Sequence, residues 1–344
     1  MNTQNTSTTE TPAGFSRTNQ ILLGLIVIQI LITAFVFWPQ ESIAGSRLTV
    51  EGFDPETVTQ LVITNNDGEQ ITIKKIEGGW VWPDGDNYPV LENVATDLVE
   101  KLTALDTNRL VTRTDASHKR LEVAADDFAR QVTLANDNGD SQTIYVGSSP
   151  SGGSTHVRLA EQNETYLTGD LNAWQINTQV SNWVETEYFK IPNEDIQTLR
   201  LQNTQGDFTF AKDESGEWTL DDLDEGEEFS PTSATSLASR IATLRMVEPV
   251  SKTAQDWFAI DQPQATVTVT INNETDGEQT YTIQIGASNE ENEYIAKASN
   301  SEYYVLVAQF SVSDFVTQAR SDFLAEQTEP VTDGDTDSQS SGSE

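Results

Sequence analysis

The stretch VTQLVITNNDGEQITIKKIEGGWVW, Val58 to Trp82, returns 138 residues further on as IQTLRLQNTQGDFTFAKDESGEWTL, Ile196 to Leu220. A phrase written twice constrains the fold more than any compositional figure, because both copies have to satisfy the same packing. In the first copy Leu61 and Ile63 precede turn chemistry at Asn65 to Gly68, and Ile71 and Ile73 then alternate with polar neighbours. Alternation around a Gly-bearing turn predicts a β-hairpin with one buried face. Leu199, Leu201, Phe208 and Phe210 occupy the same steps in the second copy, and each hairpin leads through Gly to a tryptophan, Trp80 or Trp218.

The correspondence extends beyond the hairpins. VLENVATDLVEKLTAL places Val90, Leu91, Val94, Leu98, Leu102 and Leu105 on one helical face, and SPTSATSLASRIATLRMV does the same with Ala234, Leu237, Ala238, Ile241 and Leu244. Ser230 before Pro231 is a helix-start signal. ARQVTLANDNGDSQTIYVGSS is then matched by ATVTVTINNETDGEQTYTIQIGAS, and THVRLAEQNETYLT by EYIAKASNSEYYVL, each a strand, a turn and a strand. Each copy is expected to close with an aromatic amphipathic helix. Trp174, Val180, Trp183 and Val184 would face inward in the first, and Phe315, Val316, Ala319 and Phe323 in the second.

The expected fold class is therefore α+β: two tandem repeated units, residues 51–190 and 191–325, each a mainly antiparallel β-sheet with helices packed on one face. One sheet running through both units is the competing arrangement. Ahead of the units, ILLGLIVIQILITAFVFW contains no charge and as a helix would span roughly 27 Å. It predicts a single-pass N-terminal transmembrane helix over residues 21–38, after a disordered segment 1–20 and before a linker 39–50. A signal peptide cleaved near Ser42 to Gly45 is the alternative, and both readings put the bulk of the chain outside the cytoplasm. Residues 326–344 are acidic without apolar periodicity and read as a disordered, solvated tail.

Charge and cysteine content restrict the chemistry. Nineteen Lys and Arg against 55 Asp and Glu, a net charge of -36, argue against nucleic acid as a partner and against docking on anionic lipid through the soluble part. With no cysteine, disulfides, thiolate metal sites and thiol nucleophiles are excluded.

The order of elements, WFAIDQPQATVTVT at Trp257 to Thr270, IQIGAS at Ile283 to Ser288, and the closing segments WVETEYFKIP and ARSDFLAEQ together resemble domain-of-unknown-function family 4340. The resemblance covers roughly residues 50 to 325 in two tandem copies. The first copy departs from it, with LEVAADDFARQVTL where the second has FAIDQPQATVTVT and its Pro-bearing approach to the strand. The resemblance implies a bacterial membrane-anchored protein, often encoded beside ABC transporter genes of the gliding-motility type. It brings no catalytic residues.

The candidate chemistry is sparse. His118 and His156 stand at no recognisable spacing from a nucleophile or a second histidine. GSSPSGGST, Gly147 to Thr155, lacks the Lys of a phosphate-cradling loop and reads as a connection between strands. DDLDEGEE, Asp221 to Glu228, packs six acids into eight residues; a solvated loop and adventitious divalent-cation binding compete for it. NDNGD, Asn136 to Asp140, reads as a hairpin turn. Trp80, Trp82 and Trp218 would stack on sugars if exposed, but their repetition favours packing, and Trp80 and Trp82 should share one face of a strand.

No catalytic, cofactor or metal residue is therefore assigned, no cofactor is expected, and the chain is expected not to be an enzyme. The expected function is a membrane-anchored extracytoplasmic protein at a bacterial inner membrane, acting as an interaction or accessory component. By the resemblance, its partner would be the permease or ATPase of an ABC-type transport assembly. The alternative is a module binding cell-envelope glycan or another polymer through exposed aromatics, and a hydrolase built from distant carboxylates is a third reading.

Overall fold

A computed structural model describes Gln29 and residues 47–150, 153–273 and 277–325. The first large sheet is built from β1 (Val58–Asn65), β2 (Gln70–Ile76), β3 (Gly79–Trp82), β4 (Tyr88–Pro89), β5 (Leu110–Thr112), β6 (Arg130–Asn136), β7 (Ser141–Val146), β8 (Thr155–Leu159) and β9 (Thr165–Thr168). Its strand order is β4-β3-β2-β1-β6-β7-β8-β9-β5, antiparallel throughout. The second comprises β10 (Ile196–Asn203), β11 (Gly206–Lys212), β12 (Trp218–Leu220), β13 (Glu248–Ser251), β14 (Ala265–Asn273), β15 (Gly277–Ser288), β16 (Glu293–Ala298) and β17 (Tyr304–Ala308).

Its order is β12-β11-β10-β14-β15-β16-β17-β13, the same path without a partner for β4. The registers agree as well. Leu61 lies opposite Ile73 and Leu134, and Leu199 opposite Phe210 and Val269. Hydrogen-bonded pairing stops between the two large sheets, so a single continuous sheet is not formed.

The apolar alternation does what its spacing demands. Leu61, Ile63, Ile71 and Ile73, and Leu199, Leu201, Phe208 and Phe210, are buried on the inner faces. Helices α1 (Glu92–Thr103) and α2 (Pro231–Ala242) bury Leu98 and Leu102, and Leu237 and Ile241, against those faces. One continuous apolar cluster runs from Leu48 to Phe323 through both sheets.

The α+β expectation is corrected. The chain is mainly antiparallel β, with sheets of nine and eight strands, and its described α-helices are α1, α2 and α3 (Gln309–Thr317). The closing helix of the first unit does not form. Its segment breaks into two 3-10 turns, Ala173–Gln175 and Val180–Asn182, because local polar bonds compete with helix: the Asn177 side chain accepts the Gln179 N–H at 2.9 Å. Trp183 and Val184 are buried as expected, but Trp174 is 74% exposed. In the second unit Phe323 is buried from a 3-10 turn, Arg320–Phe323, beyond the end of α3.

The transmembrane, single-pass expectation is corrected too: no helix among the described residues is long and apolar enough to cross a membrane. The apolar run 21–38 lies outside the described residues except for Gln29, as do segments 1–20 and 326–344 and most of the linker 39–50.

The opposite face of each sheet is partly covered by the segment that links its edge strand back to the centre. Leu121 and Val123 pack on Tyr145 in the first unit, and Phe258 packs on Ile295 and Leu306 in the second. This cover explains the repeated Gly after the strand. A Cβ on Gly147 would lie 2.1 Å from the Leu121 carbonyl oxygen, and one on Gly286 would lie 2.1 Å from that of Phe258.

The β3–β4 end of the first sheet meets the β13 edge of the second. Asp86 accepts the Lys252 backbone N–H at 2.9 Å, and the Tyr303 hydroxyl donates to the Asn87 carbonyl at 3.2 Å. Tyr88 and Tyr303 meet edge to face with ring centres 4.6 Å apart. Burial, followed by the neighbouring Tyr188, Tyr303 and Glu185, pushes the Tyr88 phenol up to about 12. Gly85 allows the close approach, since a Cβ there would stand 3.1 Å from Pro249 and 2.4 Å from the Trp82 ring.

Candidate functional site

Both histidines are buried and committed to backbone. His118 Nε2 lies 2.8 Å from the Asn163 carbonyl oxygen. His156, on β8, has Nδ1 at 2.8 Å from the Ser148 carbonyl and at 3.2 Å from the Ser148 hydroxyl. A Ser–His contact is the arrangement among the described residues that suggests nucleophilic catalysis, but its protons run the wrong way. Nδ1 must carry a hydrogen to donate to the carbonyl, so it has no lone pair with which to deprotonate the hydroxyl. That hydroxyl in turn lies 3.2 Å from the Leu121 carbonyl, to which it can donate. Burial pushes the His156 imidazole below its ordinary pKa, which keeps it neutral. The register of the second sheet puts Ile295 at the corresponding place, opposite Leu306 as His156 is opposite Leu167. The pair fastens the cover segment to the sheet. Residue-type spacing does not reveal it, because the contact depends on the loop geometry between β7 and β8.

The acidic run is folded around a cation of the chain itself. Arg320 Nε donates to both carboxylate oxygens of Glu227 at 3.0 and 3.1 Å, and Glu227 Oε2 accepts the Asp224 N–H at 3.0 Å. The guanidinium holds the Glu227 carboxyl below the usual carboxylate range. Among the described residues no group of three or more His, Asp or Glu is placed to hold a metal ion.

In NDNGD the Asn136 Oδ1 accepts the N–H groups of Asn138 and Asp140 at 3.1 and 2.9 Å, which makes it the hairpin turn between β6 and β7. The same Asn device appears at Asn65, whose Oδ1 accepts from Asp67 and Glu69. Of GSSPSGGST, residues 151–152 lie outside the described residues; Ser149 and Thr155 bond through their hydroxyls at 2.9 Å.

Trp80, Trp82 and Trp218 are buried. The Lys75 ammonium lies 5.7 Å from the Trp80 ring centre and that of Lys212 5.4 Å from Trp218, at matching places in the two sheets. These rings are packing residues capped by a cation. Trp257 is 45% exposed, and its ring meets Phe258 edge-on at 4.7 Å.

What remains on the surface is a set of shallow grooves. One of about 420 Å³ lies between Arg200, Asp207, Asp222 and Arg320, where each arginine already holds a carboxylate of the chain. Two others occupy one structural place in the two units, between the strand that follows the helix and the end of β9 or β17. In the first unit this groove is polar, about 310 Å³, lined by Asp106, Asn108, Arg109 and Asp170. In the second it is about 410 Å³ and largely apolar, lined by Met246, Val247, Ala308 and Phe310, with Arg240 and Arg245 at the rim. Phe310 is 77% exposed. Its exposure has a sequence signal: the inward stripe of α3 runs through Val312, Phe315 and Val316 and leaves Phe310 off it.

The fold and its surface define a class: a two-sheet antiparallel β protein of repeated strand order, whose candidate chemical residues serve turns, covers and ends. Over residues 80–257 the chain matches the domain-of-unknown-function family DUF4340. That span is 178 of the 344 residues, and the chain belongs to this family. The match is one continuous span that starts at Trp80 in β3 and ends at Trp257, crossing from the first sheet to the second. No curated protein matches, and no solved structure matches.

Proposed function

We propose that the chain is a non-enzymatic interaction component whose two units present a rigid surface to a protein partner. The observation that carries this reading is the use of its chemistry-bearing side chains for construction, with Arg320 and Glu227 as the clearest pair. The apolar groove around Met246, Val247 and Phe310, which its polar counterpart at Asn108 and Asp170 lacks, supplies a contact surface.

The proposed partner is the permease or ATPase assembly of an ABC-type transporter, on the ground of the resemblance alone. The same ground supports two proposals about origin, that the family's unit occurs twice in this chain and that transporter genes lie beside its own. The proposed place of action is the extracytoplasmic side of a bacterial inner membrane, supported by the composition of the N-terminal sequence.

Gentle solubilisation and affinity purification of the full chain should recover permease or ATPase subunits, with recovery reduced by Phe310→Asp. Repeated purification of the chain without them would defeat the transporter reading. Binding to envelope polymer is the second reading, favoured by the exposed rings of Trp174 and Trp257. It requires retention on purified cell-wall polymer that is lost in a Trp174→Ala/Trp257→Ala variant.

A further inference from the structure

The contact between the two units joins one end of a unit to the other end of the next, so each outer end carries a copy of one half of that contact that is unused among the described residues. Register locates the unused halves. Tyr304 pairs with Ser251 and Val305 with Pro249 in the second sheet, as Thr165 pairs with Thr112 and Tyr166 with Leu110 in the first. Glu164 therefore stands where Tyr303 stands, and Arg113 where Lys252 stands.

At the other end, Ser230 N–H bonds to the Phe323 carbonyl as Leu91 N–H bonds to that of Trp183. Counting back two and three residues sets Glu228 against Pro89 and Glu227 against Tyr88. Counting forward from the paired tryptophans sets Leu223 against Gly85 and Asp224 against Asp86.

Part of the joint survives at these ends. Asp224, 3.8 Å from Arg320, keeps the carboxylate with which Asp86 accepts a backbone N–H, and Arg113 supplies a backbone N–H at the place of Lys252. Leu110, half-buried, stands at the place of Pro249, and Leu223 is 41% exposed. The centre of the joint does not survive. The Tyr88–Tyr303 pair becomes Glu227 against Glu164, carboxylate facing carboxylate, and Arg320 draws Glu227 back onto its own unit. Leu223 also brings a bulky side chain to the place where Gly85 permits close approach to Pro249.

We infer that Glu164 and Glu227 are the determinants that close the two ends of this molecule to a second copy of itself, so that a joint used once inside the chain does not propagate into an open head-to-tail assembly. The inference rests on the joint and is independent of the accessory role proposed above.

The full chain has no cysteine, so engineered thiols report the joint cleanly. Leu110→Cys protein is mixed with Leu223→Cys protein under mild oxidation, first in the native background and then with Glu164→Tyr in the former and Glu227→Tyr in the latter. The native pair should give no more crossed disulfide than a control pair with the second cysteine at Ser215. The tyrosine pair should give at least roughly tenfold more, a shift of one decade in association. The Glu164→Tyr/Glu227→Tyr chain, without cysteines, should gain mass with concentration in sedimentation.

Strong crossed disulfide in the native pair would overturn the inference, and so would absence of any gain in the tyrosine pair. If Glu227→Tyr lowers the melting temperature, Glu227→Gln replaces it, and any gain over native must then appear with Glu164→Tyr. As the reciprocal, Tyr88→Glu/Tyr303→Glu should open the internal joint to proteolysis between residues 184 and 196. Unchanged protection there would count equally against it.

Discussion

Ser148 and His156 show how little a residue pair means without its proton positions. At 3.2 Å they look like a nucleophile and its base, yet Nδ1 is spent on a carbonyl and the imidazole is held neutral by burial. The pKa direction carries a sign. A folded-state value below the ordinary 6.5 means that the unfolded chain binds the proton first, so stability is complete above 6.5 and declines as pH falls from 6.5 toward the folded pKa. The melting temperature should therefore drop between pH 7.5 and pH 5.5. His156→Ile, which installs the residue of the second unit, should flatten this slope while leaving the fold intact; an unchanged slope would show that other groups set it. Sequence spacing leaves such a pair unread, because the loop between β7 and β8 brings it together. Trp80 and Trp82 are more legible: the recurrence of Trp80 as Trp218 and the strand face it shares with Trp82 point to packing, and both are buried.

Among elements, the hairpins and the first two helices were readable because each has an unbroken apolar period. The closing helix of the first unit was not, since Trp174, Val180 and Trp183 satisfy a helical period that local polar bonds then break into 3-10 turns. The repeated Gly at the exit of β7 and within β15 has its reason in the cover segment above it. Gly147→Ala or Gly286→Ala should cost about 1–3 kcal/mol in denaturant unfolding, since the added methyl meets a backbone carbonyl that has no rotamer to adopt. Arg320→Ala should free the acidic loop and speed cleavage at Asp221 to Glu228 by a Glu-specific protease, with little change in global unfolding. Equal cleavage of both forms would mean that Arg320 does not order the loop.

The two sheets, with the same order and register, meet end to end through Asp86, Tyr88, Lys252 and Tyr303 and share one apolar cluster. Tyr303→Ala should remove the ring pair and its bond to Asn87, at about 1–2 kcal/mol, and lower a single melting transition by a few degrees. Two separated transitions in the native chain would show instead that the units unfold independently. The sequence by itself determined the repeated hairpin phrase, the hairpins, their inner faces and, through the lack of cysteine, the exclusion of thiol chemistry. All of these follow from residue types at fixed local spacing. Only the tertiary structure decided that helices are too few for an α+β layer, that Trp174 faces solvent, that the acids of 221–228 close on Arg320, and where the units join. Those outcomes depend on contacts between residues far apart in the chain, whose partners no local period can specify.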